Sequence, residues 1–133
     1  MSRLLLVLRW IVAIFVAFLV LVVTTAVGFI AVPWNQAGTV ATLSFDFVNF
    51  ISHFLAVGIG AYVVPGEQRK AAALALWILS SLHAVLPPAL SGHLTENILV
   101  VGCMVAGGGF AYFVARTGLL GGRKINRVSS QSP

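Results

Sequence analysis

Residues 10–32 read WIVAIFVAFLVLVVTTAVGFIAV, an uncharged stretch in which Thr24 and Thr25 supply the only hydroxyl groups. A helix rises about 1.5 Å per residue and the hydrocarbon core of a bilayer is about 30 Å thick, so a run of this length is enough to cross it. Three further apolar runs, around residues 45–64, 70–87 and 94–115, come near the same length. Together they predict an all-α integral membrane protein, a four-transmembrane-helix bundle forming one domain over residues 1–118. A transmembrane barrel would show shorter segments of alternating polarity instead.

Composition agrees with that assignment. The chain has 133 residues, of which 59% are hydrophobic and 8% charged, and its mean hydropathy is +1.03. An ordinary globular domain is about 45–50% apolar and about 25% charged. A water-soluble enzyme or nucleic-acid-binding domain could not cover so much apolar surface. Between the runs stand residues that interrupt helices: Pro33, Pro65-Gly66, and Pro87-Pro88 followed by Ser91-Gly92. The prolines are expected to close the first three helices.

The eight basic residues fall in three places. Arg3 and Arg9 precede or open the first helix, Arg69 and Lys70 lie between the second and third, and Arg116, Arg123, Lys124 and Arg127 follow the fourth. With four crossings these places share one side. The connections 34–44 and 87–93 carry no Lys or Arg, so the positive-inside rule predicts both termini in the cytoplasm and places the chain in a bacterial inner membrane. The formal charge of +5 therefore reflects topology, and no nucleic-acid partner is expected. Residues 119–133 read as a basic, disordered cytoplasmic tail resting on anionic lipid. Trp10, Tyr62 and Tyr112 are expected at the inner boundary and Trp34 at the outer one. The first run exceeds the 7–15 residues of a secretory h-region and reads as a retained helix.

Polar side chains inside the bilayer cost free energy and usually face a bundle's interior. On the second helix Asp46, Asn49, His53, Ala56 and Gly60 occupy one arc, opposite Phe47, Phe50, Ile51, Phe54, Leu55 and Tyr62. Ser80 and His83 share a face of the third helix. Ala56, Gly60, Gly102, Ala106 and Gly109 are small residues expected to let helices approach closely. Both imidazoles are expected in the outer half of the bilayer, with Asp46, Asn49, His93, Glu96 and Asn97 completing a polar cluster open to the exterior. Cys103, a lone cysteine in an apolar run, reads as a small hydrophobe.

Three roles compete for that cluster. One is structural, through interhelical hydrogen bonds and helix caps at Asp46 and Asn97. Another is an outward-facing ligand pocket using His53, His83 and Glu96. A third is a b-type haem held by His53 and His83 as axial ligands; no other cofactor or metal is expected. Catalysis is not expected either, since Ser80 and His83 share a helix face but show no oxyanion hole. Every acidic residue lies at or near a boundary, so transport would need an oligomer of this small unit. Partners beyond the bilayer itself would be further copies of the chain or a larger membrane complex.

His53-Phe54 early in the second helix, Ser80-x-x-His83 ahead of Pro87, Gly92-His93, and Glu96 ahead of the glycines at 102 and 107–109 together resemble the VanZ-like membrane proteins. That family's pattern is a His-Phe or Arg-Phe pair, a Glu-x-x-Gln pair, a Pro-Gly-Arg loop and an Asp opening a glycine-rich helix. The resemblance covers about residues 45–115 and implies a four-helix, envelope-associated membrane protein, without implying a reaction. Ser80 and His83 stand where the family has Glu and Gln, and His93 where it has Arg. Asn49-Phe50 replaces an Asp-Lys pair. A chemistry shared through those residues would be lost or altered here.

Overall fold

A computed structural model describes residues 3–31 and 39–118. It is all-helical: α1 spans Arg3–Ala31, α2 Thr39–Val63, α3 Arg69–Leu90 and α4 Ile98–Thr117. All four are long and apolar enough to cross a membrane. Pro33, Trp34 and the tail 119–133 lie outside the described residues.

Three helix ends differ from the sequence expectation, each for a local reason. α2 starts at Thr39 rather than near residue 45, because residues 39–45 contain no proline or glycine to stop it. Asp46 is therefore inside α2 and caps nothing. α3 runs through Pro87 and Pro88 to Leu90. A proline near a helix end removes a donor without forbidding the turn, and the chain leaves the helix only at Gly92, whose φ is +77°. α4 starts at Ile98, after a turn over residues 94–97, rather than near residue 94. Asn97 occupies the N-cap position, but its side chain makes no capping bond; its amide donates to the His93 carbonyl at 2.9 Å.

α2 is the hub, packing against the three other helices, while α1 and α3 meet at only a few residues. Successive helices are antiparallel. Gly28 of α1 lies against Val48, while Gly60 lies against Ala17 and the Ala13 carbonyl of α1. Farther along, the Trp10 indole donates to Gln68 Oε1 at 3.0 Å. α2 and α4 run the same way, with Gly107 against the Phe50 backbone and Phe54 and Phe110 ring centroids 5.7 Å apart. The basic residues Arg3, Arg9, Arg69, Lys70 and Arg116 consequently share one end of the bundle.

The core is built mainly from small side chains, Ala13, Ala17, Ala61, Ala72, Ala73 and Ala111, with Val57, Val64 and Leu76. Small side chains let the helices approach closely, and polar contacts add to that packing. Trp77 supplies the largest such contact. Its indole donates to the Val105 carbonyl at 3.0 Å, its ring stacks on Tyr112 at 5.6 Å, and Gly108 and Gly109 leave the space it fills. Gly102 and Ala106, expected to pack, face outward instead. In α4 the close approaches are made by Gly107 against Phe50 and by Gly108 and Gly109 against Trp77, and in α2 by Gly60 against Ala17 and Leu76.

Candidate functional site

The polar arc of α2 is buried in the middle of the bundle. Asp46 is 8% exposed, Asn49 2%, Ser52 1% and His53 2%. This follows from α2's central place, since every turn of it has a neighbour to face. The Asn49 amide donates to the Phe45 carbonyl at 2.9 Å, and His53 Nδ1 lies 3.0 Å from the Asn49 carbonyl. A carbonyl only accepts, so Nδ1 carries a proton and Nε2 of the neutral ring is left as an acceptor. His53 Nε2 is buried and has no partner; neither has Asp46 Oδ1.

α3 brings Ser80 and His83 alongside. Gly60 touches Leu76 across the antiparallel α2–α3 pair, and one turn farther along each helix Ala56 and Ser80 line the same cleft, with His83 beyond them. At about 1.5 Å per residue His53 lies ~18 Å from Ala41 and ~15 Å from Val63, the ends of the apolar span of α2, and so near its middle.

Because α1 and α3 diverge, a cleft of about 200 Å³ remains between them. Ile14, Phe18 and Leu21 of α1 form one wall, Ala56 and Val57 the floor, and Leu79 with Ser80 and His83 the other wall. Ser80 Oγ is buried and unpartnered, whereas His83 is exposed along the cleft. His53 stays behind the floor. A second, more open cleft of about 530 Å³ joins His83 to Pro87, Ser91 and Asn97 at the far end of α3 and α4. Pro87 and Pro88 have no N–H, so the carbonyls of His83 and Ala84 receive no helical hydrogen bond from them.

The single polar cluster expected from the sequence is thus two groups. Asp46, Asn49 and His53 form a buried seam beside Ser80 and His83. His93, Glu96 and Asn97 are exposed in the α3–α4 turn, where His93 Nδ1 and Glu96 Oε2 are 3.0 Å apart. Only Asn97 shares a cleft with His83. Ser52 and Trp77 were not expected in these roles. Ser52 is the polar neighbour of His53 on α2, and a tryptophan in mid-span needs a partner for its N–H, which is the signal that marks Trp77 as a packing residue.

The arrangement is suited to hydrogen bonding in a low-dielectric setting. Among the described residues no group of three His, Cys, Asp or Glu side chains could hold a metal ion. Compared with known proteins, the chain matches no family model, no curated protein and no solved structure.

Proposed function

We propose that the protein is a multi-pass protein of the bacterial cytoplasmic membrane, N-in and C-in, that holds an apolar-chained ligand in the cleft between α1 and α3. The ligand's polar head would rest against Ser80 and His83 and its chain against Ile14, Phe18 and Leu79. The observation that carries this proposal is the buried, unpartnered Ser80 hydroxyl on the wall of an otherwise apolar cleft. Buried polar groups are nearly always hydrogen-bonded, and a ligand hydroxyl, carboxyl or carbonyl in the cleft would satisfy this one once the Ser80 side chain turns toward it. An envelope association is implied only by the VanZ-like resemblance and rests on the residues quoted for it.

Native mass spectrometry of the protein extracted in mild detergent tests the proposal. The wild type is expected to carry a bound amphiphile, Leu79→Trp to lose it by filling the cleft, and Ser80→Ala to retain roughly two- to tenfold less, the range of one hydrogen bond. A wild type without adduct, or full retention by Leu79→Trp, contradicts it. The unpartnered Nε2 of His53 favours one second proposal, a b-type haem with His53 and His83 as axial ligands, which requires the cleft floor between them to open. Its signature is a Soret band lost in either His→Ala variant, and a colourless wild type removes it.

A further inference from the structure

At the basic end of the bundle, where the ends of α2 and α4 meet the start of α3, lies a separate recess of about 140 Å³. Tyr62, Arg69 and Lys70 form its rim, and Gly58, Ala111 and Ala115 its floor. The Arg69 guanidinium carbon lies 4.0 Å from the centroid of the Tyr62 ring, a cation–π contact that holds the group at the recess. Arg69 Nε is buried without a hydrogen-bond partner. Glu67 stands in the turn just before the two cations but pairs with neither: among the described residues the one ion pair joins His93 and Glu96, at the other end of the bundle.

Gly58 adds an independent sign. Glycine is a poor helix former, yet it stands inside α2 with an ordinary helical backbone. A Cβ there would meet nothing within 4 Å. Neither backbone conformation nor contact within the chain requires glycine at this position, and its effect is to keep the floor of the recess open below the two cations.

We propose that this recess seats one anionic phospholipid, its phosphodiester held between Arg69 and Lys70 and the start of an acyl chain lying over Gly58 between α2 and α4. The terminal nitrogens of the Arg69 guanidinium, held at the recess by the Tyr62 ring, and the Lys70 ammonium match phosphate oxygens. The cations stand at the end of apolar spans, where headgroups lie, and the negative charge of the lipid complements theirs. The site does not depend on which leaflet it faces, nor on the α1–α3 cleft.

Native mass spectrometry of the full chain from mixed micelles of phosphatidylglycerol and phosphatidylcholine with matched acyl chains tests the site. The wild type is expected to favour the phosphatidylglycerol adduct, and Arg69→Gln and Lys70→Gln each to reduce that excess about fivefold, the scale of one cation near an anionic surface. Gly58→Leu, which leaves both charges in place, is expected to lose the same adduct by filling the floor. Soluble glycerol 3-phosphate is expected to form no adduct. Equal adducts of the two lipids on the wild type overturn the proposal, as does an undiminished excess in Lys70→Gln, an exposed position whose change spares the fold. Binding of glycerol 3-phosphate as readily as of the lipid overturns it as well.

Discussion

Gly102 and Gly107 occupy the same helix and differ in what they face. A Cβ at Gly107 would run into the Phe50 carbonyl, a backbone group with little freedom to yield, whereas one at Gly102 would meet nothing within 4 Å. Gly107→Ala should therefore destabilise the bundle by about 1–3 kcal/mol, the usual range for overpacking. Gly102→Ala should be neutral within about 0.5 kcal/mol or slightly stabilising through helix propensity. Unfolding of both variants in mixed detergent measures the difference, and equal stabilities would contradict the α2–α4 packing. The sequence pattern Gly102-x-x-x-Ala106 suggested the reverse order of importance, because small-residue spacing identifies a face that could pack without saying which face does. The polar arc was more legible. Polar residues on an apolar helix are expected to face a bundle's interior, and Asp46, Asn49 and His53 are buried within the chain.

At the scale of elements, four helices were legible because uncharged length is a direct consequence of bilayer thickness. Their ends were less so. Pro87 and Pro88 mark the end of α3 to within a turn, but their missing donors cost only two carbonyl contacts near the helix terminus, and the reversal falls to Gly92. The absence of any breaker before Phe45 lengthens α2, so that Asp46 has residues of the same helix on both sides. His53, near the middle of that helix, is bonded through Nδ1 to the Asn49 carbonyl, and its other nitrogen is buried without a partner.

For the whole molecule, the arrangement that matters is α2 at the centre with α1 and α3 splayed around it. Periodicity on separate helices could not reveal this, since it depends on which faces meet, and so the α1–α3 cleft was not foreseen. Charge, by contrast, is sorted at this scale: the described basic residues lie at one end of the bundle. The positive-inside rule then predicts that a reporter active only outside the cytoplasm is silent when fused after Lys70 or at the C-terminus and active when placed after Gly92. Activity at either of the first two positions would overturn the N-in, C-in orientation.

The most direct test of the proposed ligand cleft is photolabelling of the reconstituted protein with a diazirine-bearing fatty acid, followed by peptide mapping with and without excess unlabelled palmitate. A binding cleft predicts palmitate-suppressible labelling concentrated on residues 14–21 and 79–83, falling in Leu79→Trp, while labelling of the outward faces of α1 and α4 is not suppressed. Uniform labelling that palmitate does not suppress, or suppressible labelling unchanged in Leu79→Trp, would contradict it.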